Sequence, residues 1–409
     1  MRHSIILSAA ALAFVASTML CGCKESTQSD NAIRITKDDV ISLDGTFDDN
    51  YLDSWEYILL EESPESVIGS VERIRYDDGL FFVHDNMNSE TTIKVFDRSG
   101  RFLNNIGRLG RARNEYLNLD HWDLDVFRNE VHVINGDGYA GTTSIKRYDY
   151  KGNFLGVTNL DTIGKEFVTV NGYAKCLSDG SFLMNDPMHS FPTHEYFILH
   201  PDGGAVSLFD LPEFYTLGSL ADFEDIITGN YNNGEKMTLG DEYTTGFFNP
   251  FSDTTYLMRR LDNRIYRIYR DKAEPVARLT FIPDPPAKYK KGLELGDPDA
   301  YEYTADAFFD LKDYLRFFYN ENDYVFDKAT NKLYHLLDID DVDAAFPATC
   351  CVSVIGNDVI GILSSDIINH ALEFMDSKDY NHSYTPQVEA FYRKVKDCQN
   401  PPIVIAHYK

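Results

Sequence analysis

The feature that most constrains this chain is a period. Ile93 to Gly107 reads IKVFDRSGRFLNNIG, and Ile145 to Asn159 reads IKRYDYKGNFLGVTN. The two isoleucines stand 52 residues apart. Each copy is an alternating apolar strand, an acidic residue, a glycine-containing turn, then an aromatic and a leucine entering a second strand. Period-two alternation broken by such a turn specifies a β-hairpin. Weaker copies follow at Tyr196 to Leu211, Arg264 to Phe281 and Tyr324 to Leu337. Hairpins of the same type stand upstream of several copies or beyond the last: Ile74 to His84, Leu124 to Ile134, Ala174 to Met184 and Val352 to Leu363. The unit is therefore two hairpins, four antiparallel strands, recurring about every 50 residues, as in a propeller blade.

One twisted four-stranded sheet has two apolar faces and cannot bury both alone. Radial stacking covers each face with a neighbour, and closing the ring leaves only short edges. The spacing predicts an all-β, six-bladed β-propeller of four-stranded antiparallel blades. The blades start near Ile68, Asp120, Val170, Tyr243, Arg316 and Cys350. The sixth lacks strands of its own, and Trp55 to Glu61 and Ile403 to Tyr408 are expected to complete it and lock the ring. Long inserts near 214–242 and 283–315 interrupt the period. Apolar spacing at Tyr303, Phe308, Leu311 and Leu315 predicts a helix in the second insert. Ile367 to Met375 and Val388 to Val395 are further short helical candidates in the late blades.

The N-terminus is a secretory leader. Arg2 and His3 precede an apolar run, Ile5 to Leu20, too short for a stable span. Leu20-Cys21-Gly22-Cys23 resembles a bacterial lipobox, which makes Cys23 the expected lipidation site and residues 1–22 the signal peptide. Residues 23–50 are expected to serve as the anchor and tether, with the polar stretch Lys24 to Asp30 flexible. Residues 51–409 form the propeller. The Lys24-Glu25 pair partly resembles the export signal of Bacteroidetes surface lipoproteins. The expected location is thus the outer membrane, at the cell surface or on the periplasmic face.

The chain carries 38 basic and 65 acidic residues, a net charge of −27. Nucleic acid is excluded as a partner, because its phosphates would be repelled. Electrostatic docking on anionic lipid is excluded too, so membrane attachment falls to the acyl chains. Cys176, Cys350, Cys351 and Cys398 make no metal-binding spacing, and one disulfide, for instance from Cys398 to Cys350 or Cys351, is open.

Ile58-Leu59-Leu60-Glu61, Val67-Ile68-Gly69-Ser70, Phe96-Asp97, Gly100, Phe102-Leu103, Ile106-Gly107, Gly110, Glu115-Tyr116 and Asp123 together carry a likeness. So do Ile265-Tyr266-Arg267-Ile268, Pro275, Phe281 and Pro283 later in the chain. This pattern resembles the six-bladed β-propeller lipoproteins of Bacteroidetes. The family reads Gly-x-Gly-Pro-Gly-Glu-Tyr where this chain has Gly110-Arg111-Ala112-Arg113-Asn114-Glu115-Tyr116. The resemblance implies a fold and a compartment and little chemistry.

Several motifs fail on context. Gly136 to Gly141 matches a dinucleotide-binding glycine pattern, but a strand follows where a phosphate-binding helix is required. His194-Glu195 begins like a zinc-protease motif, but Ile198 stands where the second histidine should be. Asp338, Asp340, Asp341 and Asp343 read as a solvated turn. They depart from a calcium loop at Val342 and Asp343. No cofactor is therefore implied, with a calcium ion the one alternative left open. The densest polar run is Asp120 to Asp125. His121 and Asp123 share a strand face and are candidates to line a central channel, with Arg111, Arg113, Glu115 and Tyr116 on the adjoining loop completing a candidate ligand site. The competing reading makes Asp123 a structural residue at a blade junction. No catalytic residue can be singled out. The preferred function is a non-enzymatic binding or assembly protein of the cell envelope, engaging a glycan, a peptide or an envelope protein. The alternative is a hydrolase or lyase at the channel mouth, with or without a divalent cation, and it rests on fold analogy.

Overall fold

In the computed structural model the period becomes six sheets arranged as the blades of a propeller. The structure describes residues 32–86, 91–119, 121–137, 142–159, 175–185, 194–202, 204–210, 247–259, 262–284, 305–337, 346–347, 349–377 and 384–409. Blade 1 comprises Val71–Asp77, Leu80–Asp85, Thr92–Asp97 and Phe102–Ile106. Blade 2 comprises His121–Asp125, Glu130–Asp137, Thr142–Asp149 and Phe154–Asn159. Blade 3 runs from Lys175–Cys176 through Phe182–Asn185 and His194–Leu199 to Ala205–Asp210.

The turns explain why the sequence pattern reads so clearly. Asp97 accepts from the backbone amides of Ser99 and Arg101 at 2.9 and 3.1 Å, and Gly100 takes φ +84°. Asp149 repeats this with Lys151 and Asn153, at 3.0 and 2.8 Å, and Gly152 at φ +83°. The recurring acidic residue is thus a cap for turn amides that would otherwise lack partners. The Ser99 hydroxyl, together with those amides, holds the Asp97 carboxyl below its ordinary value.

The core consists of six apolar layers, one between each pair of neighbouring blades. Phe82, Val95 and Ile106 of blade 1 pack on Trp122, Leu124 and Val133 of blade 2. Phe81 and Val83, on the opposite face of the same blade 1 strand, pack on Ile360 and Ile405 of blade 6. Alternation along one strand therefore feeds two different interfaces, which is what a ring of blades requires. Further layers join blades 2 and 3 through Ile134 and Phe197, and blades 3 and 4 through Leu183 and Ile268. Ile265 and Phe317 meet between blades 4 and 5, and Val325 and Val359 between blades 5 and 6.

Ring closure follows the expected route. Blade 6 begins with Cys350–Ile355 and Asp358–Ile362 and then takes the C-terminal strand Ile403–Tyr408. Its outermost strand is Leu52–Ile58, antiparallel to the C-terminus with Ile405 opposite Glu56. Between its second and third strands lie the helices Ser365–Asp376 and Pro386–Val395, where the 3.6-residue spacing places them. Leu363, Ile368, Val388 and Val395 join them to the blade at Val404.

Three features differ from the sequence reading. Ile33–Ile35 and Ile41–Asp44, within the segment read as a tether, instead pair in parallel with the outer strands of blades 4 and 5. Residues 33–58 thus clasp three successive blades. Blades 4 and 5 begin at Thr254–Met258 and Ala305–Asp310, not near Tyr243 and Arg316. The helix expected up to Leu315 is absent from residues 305–315. Leu311 lies in the turn between Ala305–Asp310 and Tyr314–Tyr319, and Leu315 in the second of those strands. Both leucines are fully buried. A hairpin turn broke the alternation there and imitated a helical spacing. The expected insert at 214–242, the leader, Cys23 and the acidic cluster Asp338 to Asp343 lie outside the described residues.

Candidate functional site: polar blade junctions and an aromatic cleft

The loop carrying Glu115 and Tyr116 joins blade 1 to blade 2, and its chemistry is internal. Tyr116 is fully buried and its hydroxyl donates to the Ile106 carbonyl at 3.2 Å. Gly107 sits at φ +58°, and a Cβ there would stand 2.8 Å from the Tyr116 ring. Glu115 accepts from the Ala112 amide at 2.9 Å and from Arg108 at 2.7 Å, and these partners hold its carboxyl below the ordinary range. A Cβ on Gly110 would lie 2.0 Å from the Glu115 carboxylate, so a larger residue there would displace that side chain from its partners. Lys146 and the Tyr148 hydroxyl donate to the carbonyls of Glu115 and Asn114. Arg111 and Arg113 are exposed at the loop tip.

His121 and Asp123 do lie on the innermost strand of blade 2, His121 half-buried and Asp123 buried. Asp123 accepts from Arg75 Nε at 2.8 Å and from the Leu124 amide at 2.8 Å. It is paired with the neighbouring blade and not with Arg111 or Arg113. Arg73 in turn donates to the Trp122 carbonyl at 2.7 Å.

The same use of charge recurs around the ring. Lys175, on the innermost strand of blade 3, is buried and donates to the Asn249 carbonyl at 2.9 Å and to Ser252. Burial brings its ammonium down to about 8. Asp310 of blade 5 accepts from Lys328 at 2.6 Å and from the Tyr256 amide at 3.2 Å. Burial raises its carboxyl despite the lysine. Removing one member of a buried pair leaves a charge without compensation. Arg75–Asp123 thus ties blade 1 to blade 2, while Lys328 holds Asp310 within blade 5 and Asp310 reaches blade 4 through the Tyr256 amide.

A different kind of surface forms at the rim of blade 6. Trp55 and Tyr57 alternate onto one face of the outermost strand, against helix Pro386–Val395. Phe391 stands behind them, with ring centroids 5.3 Å from Trp55 and 4.5 Å from Tyr57. Lys394 Nζ lies 2.5 Å from the Tyr57 hydroxyl and 4.9 Å from its ring centre. With Glu56, Gln387 and Ala390 these residues line an open hollow of about 420 Å³. A second hollow of about 480 Å³ continues from Glu56 and Tyr57 to Arg98 and Ser99 of blade 1. Read from sequence, Trp55 and Tyr57 have only a closing role. Their partner Phe391 comes from more than 300 positions away, and no local spacing announces such a contact.

Six four-stranded blades closed by both chain ends define a β-propeller that, among the described residues, pairs inner-strand charges of two blades at Arg75–Asp123 and carries an aromatic cleft at its rim. Within that class, the chain belongs to the family described as a domain of unknown function, DUF4934, which matches residues 39–407. Comparison with curated proteins returns no match. Among solved structures, the chain is similar to a candidate exported protein of Bacteroides fragilis, at 15% identity and a TM-score of 0.56. That match covers 90% of this chain and 99% of the other, and it shows a shared fold. A DUF4221 member from Bacteroides vulgatus matches at 10% identity and a TM-score of 0.46, covering 88% of this chain and 97% of the other.

Proposed function

We propose that this protein is exported, anchored in the outer membrane through lipid on Cys23, and acts as a non-enzymatic binding protein of the cell envelope. Its ligand is a glycan taken at the Trp55–Tyr57 cleft. The observation that carries this reading is the cleft itself: the half-buried rings of Trp55 and Tyr57 bordered by Glu56, Gln387 and Lys394. A sugar ring has apolar C–H faces and a hydroxyl-rich edge. An aromatic floor with a polar rim complements both. The inner-strand pair Arg75–Asp123, which joins two blades, and the Asp310 carboxylate, held by Lys328 of its own blade, favour this over an enzyme at the channel mouth, because these charges already have partners.

The test is calorimetric titration of the protein with soluble neutral polysaccharides, namely a β-glucan, a mannan and a xylan. At least one should bind, and Trp55→Ala should weaken it by about tenfold or more, the scale of an aromatic anchor in an interface. Binding unchanged by Trp55→Ala would remove the cleft from the account. No binding to any of the three would remove the glycan.

A further inference from the structure

One side-chain cluster has no part in that reading. Asp125 closes the innermost strand of blade 2, His132 stands on the next strand, and Cys176 closes the innermost strand of blade 3. All three are buried, at 1%, 3% and 3% exposure. One ligand atom from each, a carboxylate oxygen, an imidazole nitrogen and the thiol sulfur, lies within 4.8 Å of the other two. Asp125 and Cys176 are one blade period apart, so the ring brings two equivalent strand ends to one histidine, with Asp125 Oδ2 3.9 Å from its Nε2 and Cys176 Sγ 3.3 Å from its Nδ1.

The histidine is oriented by a fourth group. Its Nε2 is 3.0 Å from Glu130 Oε2, and its Nδ1 is 3.3 Å from Cys176 Sγ. Donation of Nε2–H to the carboxylate leaves the Nδ1 lone pair facing the sulfur. This is the carboxylate–histidine arrangement that positions an imidazole for a metal. With bonds of about 2.3 Å to sulfur and 2.0 Å to nitrogen, a tetrahedral ion separates its two donors by roughly 3.5 Å. The observed spacing is close to that. Asp125 accepts from the Phe127 amide at 3.2 Å and from Arg128 at 2.8 Å. An ionised carboxylate has about four acceptor positions, so a metal contact does not require either bond to break. Arg128 and Arg147 offset the charges of Asp125 and Glu130.

We propose that Asp125, His132 and Cys176 form a structural zinc site that ties blade 2 to blade 3. Thiolate with imidazole is a borderline-soft donor set, which suits zinc over calcium or magnesium. On binding, the Cys176 S–H bond gives way to a sulfur–zinc bond and its proton passes to solvent. His132 contributes the Nδ1 lone pair and keeps its Nε2 proton on Glu130. Burial suits a structural role between two blades, and a water completes the tetrahedron that the three side chains leave open.

The test uses the full chain, reduced and stripped of metal by chelator, then titrated with Co²⁺ and with Zn²⁺. Co²⁺ should give a thiolate-to-cobalt charge-transfer band in the near ultraviolet with one ion per chain, and Zn²⁺ should displace it and raise Tm. Cys176→Ser should abolish the band while Cys398→Ser keeps it. Glu130→Gln, which leaves all three ligands in place, should weaken Zn²⁺ by about 10- to 100-fold. Absence of a band and of any Zn²⁺-dependent rise in Tm in the unaltered chain would overturn the proposal, independently of how Cys176→Ser folds. So would a band that survives in Cys176→Ser.

Discussion

His84 offers a sharp test of how blades 1 and 2 pack. It is 5% exposed, its ring lies edge-on 6.3 Å from Trp122, and its Nε2 has no hydrogen-bond partner among the described residues. Burial, reinforced by the Arg73 charge, lowers its pKa from 6.5 to about 4. Between those values the unfolded chain takes up a proton that the folded chain refuses. Stability is therefore greatest above pH 6.5 and falls as pH drops towards 4. At pH 5 this single group costs about 2 kcal/mol relative to pH 7, from the linkage between the two values. Replacing His84 with Phe keeps a ring against Trp122 and removes the titration. Urea unfolding at pH 7 and pH 5 should show the wild type losing about 2 kcal/mol more than His84→Phe over that interval. Comparing each protein with itself cancels any fixed packing cost of the substitution, and the carboxylates titrate alike in both. Equal losses in the two proteins would show that His84 is not held neutral, and the buried blade junction would then be wrongly drawn.

Further outcomes follow from other junctions. Arg75→Ala should destabilise the chain by about 3 kcal/mol by leaving Asp123 buried and unpaired, and the double variant with Asp123→Ala should recover part of that in urea melts. Gly79→Ala and Gly100→Ala both place alanine at positive φ, +77° and +84°. Gly79 opens on empty space, so its cost should stay near 1 kcal/mol, read as a shift in urea midpoint. A Cβ on Gly100 would stand 2.0 Å from the Leu59 carbonyl oxygen, so that variant should lose about 3 kcal/mol or more. Cys23→Ala should abolish labelling by a radioactive fatty acid and release the protein from the membrane fraction; continued labelling would refute lipidation there.

The repeat was legible because each blade writes its own turns. Asp97-Arg98-Ser99-Gly100 and Asp149-Tyr150-Lys151-Gly152 are local signals, capped by their own carboxylates. Closure was legible for a related reason: the segments Trp55 to Glu61 and Ile403 to Tyr408 have strand-like residues and no hairpin partner nearby in sequence, and they pair through Leu52–Ile58. Ile33–Ile35 and Ile41–Asp44 were missed because they are short and half-exposed, and their strand state comes from parallel pairing with blades 4 and 5. His121 and Asp123 lie on the innermost strand of blade 2 and Glu115 and Tyr116 on the loop before it, yet sequence could not show that Arg75 occupies Asp123. Pairing between blades depends on the geometry of the ring, as do the cleft at Trp55 and the cluster at Cys176.

The cleft can be read directly, since the chain has two tryptophans, Trp122 fully buried and Trp55 half-buried in the hollow. Acrylamide quenching of intrinsic fluorescence therefore reports on Trp55. A bound oligosaccharide should shield it and lower the quenching constant, with the same saturation curve as calorimetry. A glycan that binds with full affinity while Trp55 stays equally quenchable would contradict the account.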